Sequence, residues 1–279
     1  MVITGATSGI GEVAALRLAE RGARVVLVAR NPARARATLA KLEAAGPGGA
    51  HAVYYADLAT LAEQRRVGAE IAAAEPKIDV LINNAGALIM GRSTTVDGLA
   101  ATFATNHLAY YVLTLLLLPR LRATSRARIV CTASRAHAQG RIDFDHLQRD
   151  GYTGYAQSKL ANLLFVRRLS RLLAAEGTTV NALHPGFVAT RFADNCGYGW
   201  RALMRCCKAI AAVTPEAGAQ TLTYLAQSPD LTGRTGGYYV HCALAEPEQQ
   251  ARSDADAARL WQISAQLSGL DFRPATSSA

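Results

Sequence analysis

Short β-branched and apolar runs alternate along the chain with longer stretches in which apolar residues recur at helical spacing. Runs at 2–4, 24–29, 50–55, 78–82, 127–132, 178–183 and 237–240 predict strands, the second of them, Arg24 to Ala29, reading as buried. Helices fall between them, the first beginning with Val13, Leu16 and Leu18. Strand–helix alternation implies right-handed crossovers and a parallel sheet. The expected fold class is α/β: a single-domain, Rossmann-type doubly wound parallel sheet over residues 1–279, with helices on both faces. Two long helices are expected at about 97–119 and 153–175. The longest apolar candidate, His107 to Leu118, is a dozen residues, which suits a buried helix better than a membrane span. Ala44 to Ala50 reads as a loop, and neither an internal repeat nor a low-complexity linker interrupts the pattern.

Composition fits one domain with a full core, since half of the 279 residues are apolar. The net charge of +9 comes from 26 arginines and 4 lysines scattered through the helices, a biased composition and not a nucleic-acid surface. Five cysteines (Cys131, Cys196, Cys206, Cys207, Cys242) follow no disulfide or metal-ligand spacing, so a reducing, cytoplasmic setting is expected, with peripheral membrane contact left open.

Two local patterns carry chemistry. Gly5, Gly9 and Gly11, with Ser8 and Ile10 between them, follow the first strand and precede a helix, where backbone can approach a pyrophosphate and unpaired N–H groups meet it. Tyr155 and Lys159 stand four apart, stacking phenol and ammonium on one helix face. A nearby cation favours phenolate, which suits a proton donor or acceptor. Taken alone, the glycines also fit a structural turn, and the pair also fits an exposed aromatic beside a surface lysine.

Together with Asp57-Leu58, Asn-Asn-Ala-Gly at 83–86, Asn106-His107, Ser134 and His-Pro-Gly-Phe-Val-Ala-Thr at 184–190, these motifs make the chain resemble the short-chain dehydrogenase/reductase family. It is most similar to the retinol-dehydrogenase-like branch, and the tail motif Gly-Gly-Tyr-Tyr-Val-His-Cys carries the likeness onward. The resemblance implies that Ser134 hydrogen-bonds the substrate oxygen and Tyr155 exchanges a proton with it. Lys159 would lower the tyrosine's pKa and grip the nicotinamide ribose, while Asn106 would hold a water leading to solvent. Asn106 also fits a packed polar residue bonding backbone. Thr132 and Thr153 are the nearby alternatives to Ser134, and His137, His146 and His184 read as loop, packing or strand-end residues.

By the same resemblance, Asp57 and Leu58 border the adenine, Asn84, Ala85 and Gly86 line the cofactor, and Pro185, Gly186, Val188 and Thr190 lie beside the nicotinamide. Asp57 is also a good N-cap for the next helix. Ala29 stands where relatives that prefer NAD(H) place an acidic residue, and Arg30 follows, with Arg34 as its helper. NADP(H) is therefore expected over NAD(H). Trp200, Leu203, Met204, Cys207, Ile210 and Ala211 recur at helical spacing within 191–213, which reads as a substrate lid, plain core or a membrane-resting helix. The implied substrate is a small lipophilic alcohol or carbonyl: retinoid-like, steroid, fatty aldehyde or xenobiotic. Competing readings are a non-catalytic NADP(H)-sensing interaction protein and a reductase of conjugated carbon–carbon double bonds. A homodimer through the two long helices is expected from relatives. The first strand begins at Val2, so the start is either naturally short or truncated relative to them.

Overall fold

The computed structural model describes residues 1–46, 49–186 and 214–274. Eight strands form one sheet: β1 (Val2–Thr4), β2 (Val26–Ala29), β3 (Ala52–Tyr55), β4 (Val80–Asn83), β5 (Arg128–Thr132), β6 (Thr179–His184), β7 (Tyr238–Val240) and β8 (Ala243–Ala245). Their spatial order is β3-β2-β1-β4-β5-β6-β7-β8, so the direction of winding reverses between β1 and β4. Every pair is parallel except β7–β8.

The final antiparallel strand departs from the all-parallel expectation. Its hairpin turns on His241 and Cys242, both at positive φ (50° and 62°), the geometry in which hairpin turns normally use glycine or asparagine. Neither residue type announces such a turn.

Alternation along the strands separates two cores. Val2, Val26 and Leu81 join one apolar cluster, and their neighbours Ile3, Leu27 and Ile82 join the other. Helices α1 (Gly9–Ala19) and α6 (Pro215–Gln227) pack on the second face. Helices α3 (Leu61–Ala74), α4 (Ala101–Arg122), α5 (Gly151–Leu172) and α7 (Asp254–Ser268) pack on the first. Helix α2 (Pro32–Ala45) starts at an Asn31 cap whose Oδ1 accepts the Arg34 N–H at 3.0 Å.

At 22 residues, α4 outruns the apolar dozen at its centre, and its length and composition alone would let it cross a bilayer. The fold uses it otherwise: 83% of its apolar window is buried in the protein. A π-helical turn at Ala104–Leu108 interrupts it, a feature that concentrates at functional sites.

Helix α7 covers α4 and α5. Trp261 stacks on Phe165 at 5.9 Å, meets Tyr111 edge-on at 4.9 Å, and His107 Nε2 lies 2.9 Å from Ser264 Oγ. Helix α7 thus covers part of the surface of the two long helices. Val188, Thr190 and the 191–213 lid segment lie outside the described residues.

Candidate active site

The site forms where the sheet reverses, at the carboxyl ends of its central strands, the place where open α/β sheets bind ligands. At one end lies a glycine cradle. Gly5 has φ +67°, and a Cβ there would sit 2.7 Å from Ala85 Cα; a Cβ on Gly11 would sit 2.5 Å from Asn84 Nδ2 and from the Gly5 carbonyl. Only glycine fits either position. Asn84 knits the turn by donating to the carbonyls of Thr4 and Gly5, both at 3.1 Å, while its Oδ1 accepts from Thr132 Oγ1 at 3.2 Å. Thr4 completes the knot, its Oγ1 accepting the N–H groups of Asn84 and Ala85 at 3.0 and 2.9 Å.

Ser8 is the N-cap residue of α1 but makes no side-chain cap bond, so it satisfies none of the first N–H groups of the helix. Ser8, Gly9 and Ile10 are half-buried at this helix start. A tight, uncharged backbone cradle at a helix N-terminus has the donor set a pyrophosphate needs.

Arg30 follows β2 with its side chain 71% exposed, and its Nη1 lies 3.8 Å from Asp57 Oδ1. Asp57 does not cap α3. Its Oδ1 accepts the Ala59 N–H at 3.1 Å, Thr60 holds the cap position, and Asp97 Oδ2 accepts the Leu61 N–H at 2.8 Å. The local Asx turn takes the carboxylate away from the helix end. Leu58 is buried, its carbonyl accepting from Gln64 Nε2 at 2.8 Å. Pro185 and Gly186 follow β6 at the same edge of the sheet, both half-buried.

At the other end, α5 brings Tyr155 and Lys159 to the end of β5. The Ser134 hydroxyl is hydrogen-bonded to Tyr155 and accepts the Ala136 N–H at 3.2 Å. Lys159 Nζ donates to the Thr132 carbonyl at 2.9 Å and lies 5.7 Å from the centre of the Tyr155 ring. Asn106, on the π-helical turn, is buried; its Nδ2 donates to the Ala87 carbonyl at 2.9 Å and to Ser158 Oγ at 3.0 Å. Its Oδ1 accepts the Ala87 N–H at 2.8 Å, leaving one lone pair for a further partner. Gly86 sits against both Lys159 and Asn106. The four residues expected to act together are thus gathered around one spot.

Their electrostatics differ from the expectation. Burial pushes the Tyr155 phenol well above its ordinary range, and the Ser134 hydrogen bond only partly offsets this. Lys159 does not reverse the shift, because its ammonium faces the ring and the Thr132 carbonyl. Burial also pulls Lys159 down, to about 8. His184, lowered to about 4 chiefly by burial, stays neutral and accepts the Arg135 N–H at 3.2 Å through Nδ1, as a strand-end residue.

Sequence reasoning missed Tyr110 and Ser158. The Tyr110 hydroxyl donates to the Ala85 carbonyl at 2.9 Å and its ring centre lies 5.9 Å from Lys159 Nζ, so it links the cradle to the lysine. Ser158 passes the Asn106 contact on to the Tyr155 carbonyl, at 2.7 Å. Tyr110 lies inside a run that reads as plain core; Ser158, inside the Tyr-to-Lys motif, carried a signal.

The short chain dehydrogenase family model matches residues 1–198. Human dehydrogenase/reductase SDR family member 13 is 40% identical over 277 residues, covering 96% of this chain and 73% of that protein. Human retinol dehydrogenase 13 is 37% identical over 280 residues, 97% of this chain and 85% of that one. A crystal structure of an uncharacterized protein from Mycobacterium paratuberculosis superposes with a TM-score of 0.77 at 32% identity, over 98% of this chain and 94% of that chain. A short chain dehydrogenase from Burkholderia cenocepacia, solved in complex with NADP, does so with 0.68 at 30%, over 85% and 94%.

Proposed function

Because the chain belongs to the short-chain dehydrogenase/reductase family, in its retinol-dehydrogenase-like branch, we propose that it is an NADP(H)-dependent oxidoreductase of a lipophilic alcohol or its carbonyl counterpart. The observation that carries this reading is the buried Tyr155 phenol, held by Ser134 and flanked by the Lys159 ammonium. NADP(H), held by the glycine cradle and by Arg30, supplies or accepts the hydride when bound. In reduction, Tyr155 gives its proton to the substrate oxygen, and Ser134 Oγ donates a second hydrogen bond to that oxygen. The high pKa of the phenol keeps the proton in place at neutral pH. Lys159 holds the nicotinamide ribose and sets positive charge under the forming phenolate. The remaining lone pair of Asn106 Oδ1 anchors a water that returns the proton from solvent.

Preference for NADP(H) rests on Arg30 with Ala29 before it: no carboxylate stands at the end of β2 to repel a 2′-phosphate. The Asp57 contact is too exposed and too long, at 3.8 Å, to compete strongly for the guanidinium. Leu58 and Asn84 to Gly86 support the adenine and nicotinamide halves. The lipophilic substrate is proposed by likeness to the retinol dehydrogenases.

The test is loss of NADPH or NADH absorbance with retinal, aliphatic aldehydes, steroid ketones and quinones, comparing the native chain with Tyr155→Phe. Turnover with NADPH that drops by about a hundredfold or more in the variant is expected. Equal rates in the two proteins would remove the proton donor from the scheme, and NADPH binding without turnover across the panel would favour the sensing reading.

A further inference from the structure

His137 lies outside the four residues assigned above, yet it holds the backbone of one of them. The ring is buried, and His137 is the middle residue of the short 3-10 turn Arg135–Gln139, for which Ser134 is the N-cap. Its Nδ1 is 2.7 Å from the Ser134 carbonyl oxygen, which also accepts the His137 backbone N–H at 3.1 Å. A carbonyl only accepts, so Nδ1 carries the proton. Nε2 then presents its lone pair, and the backbone N–H of Glu248 points to it at 3.4 Å. One neutral tautomer satisfies both contacts. Tyr238 of β7 fixes the ring plane by an edge-on contact at 5.2 Å.

The serine needs such a tie. It leaves β5 in extended conformation (φ −164°, ψ 154°) and enters a turn of a kind whose hydrogen-bond geometry is poor. Its Oγ accepts the Ala136 N–H and is also hydrogen-bonded to Tyr155, so both contacts depend on how the Ser134 backbone is set.

We infer that His137 is a positioning residue: through Nδ1–H it fixes the Ser134 carbonyl, and so aims the Ser134 hydroxyl at Tyr155 and the substrate oxygen, while Nε2 couples this aim to the chain at Glu248. This rests on the proposed oxidoreductase site, so the test includes a readout that needs no turnover.

Three variants separate the roles of the ring. His137→Asn keeps an N–H donor close to the Nδ1 position, His137→Gln moves its amide out towards Nε2, and His137→Phe keeps only the packing on Tyr238. The first readout is the ¹³Cζ resonance of Tyr155 in protein labelled at tyrosine, assigned with Tyr155→Phe. The second is kcat for the best carbonyl substrate, with NADPH affinity from fluorescence titration.

His137→Asn should hold the Tyr155 resonance and stay near native kcat. His137→Gln and His137→Phe should shift the resonance and lose about tenfold in kcat, the worth of one net hydrogen bond, with NADPH affinity unchanged. Where His137→Phe does not fold, the comparison of Asn with Gln decides. A resonance unmoved in Gln and Phe, or moved equally in all three variants, overturns the inference. Should the native chain show no turnover, the oxidoreductase reading fails while the resonance still decides on His137.

Discussion

Around Arg30 and Asp57, the side chains keep 71% and 45% of their surface in water, whereas Lys159 and Tyr155, at the other end of the same sheet edge, are 3% and 7% exposed. The same elementary charges therefore obey different rules. Exposed charges attract a partner at little cost and are screened by salt, and the Arg30–Asp57 contact contributes about 1 kcal/mol at most. Buried charges pay for desolvation first, and their pKa values record it: Lys159 falls to about 8 and Tyr155 rises. In the proposed scheme the exposed end selects the ligand and the buried end carries the chemistry.

The largest test of this contrast is Lys159→Met. Turnover is expected to fall by about a hundredfold or more, yet the folded protein should become more stable at pH 7. The sign follows from linkage. With a folded pKa near 8 against 10.5 for an ordinary lysine, the unfolded chain binds more protons between those values, so native stability rises with pH across that window. Below pH 8 the native protein carries the whole cost of a buried cation. Methionine removes that cost but leaves the Thr132 carbonyl without its donor, for a net gain of about 1 kcal/mol. Urea melts at pH 7 and pH 10.5 check it: the gain should shrink at the higher pH, and a loss at pH 7 would show that the hydrogen bond outweighs the desolvation.

Next in size is Arg30→Ala. Losing a charge-assisted bond to phosphate should raise the KM for NADPH by roughly tenfold to a hundredfold and leave that for NADH unchanged. The native preference should also weaken with added salt, as expected for an exposed charge. Unchanged NADPH affinity in the variant, measured by fluorescence titration, would assign the preference elsewhere.

The smallest effect is expected from Tyr110→Phe, which bridges the two ends. It deletes the hydrogen bond to the Ala85 carbonyl and keeps the ring near Lys159, so cofactor affinity should fall by about tenfold or less while the pH dependence of turnover stays as in the native chain. A shifted pH profile would mean that the hydroxyl also acts on the lysine.

What could be read from the sequence follows the same division. The cradle leaves a direct mark because Gly5 and Gly11 accept no side chain, and the strands stand out because buried parallel strands are nearly all apolar. Tyr155 and Lys159 show themselves by helical spacing, though the direction of the tyrosine's shift does not, since it depends on how much protein surrounds the phenol. The π-helical turn under Asn106 is a tertiary accommodation with no local signal. Strand β8 hides behind a turn built from His241 and Cys242, and Tyr110 behind an apolar neighbourhood. Asp57 looked like a helix cap because aspartate is good at capping, but its carboxylate found the nearer Ala59 N–H first.

Helix α7 has a consequence for how the protein is made. His107 and Ser264 stand 157 residues apart, and Tyr111 and Leu270, joined by a hydrogen bond from the phenol to the carbonyl, stand 159 apart. Contacts of such separation form only after a costly loop closure, and here only after translation has moved far past α4 and α5. Those two helices therefore spend an interval on the ribosome with Tyr111 and Phe165 uncovered. During that interval the nascent chain carries a sticky surface that the finished protein does not have, and a chaperone acting at that stage should raise the yield of folded protein.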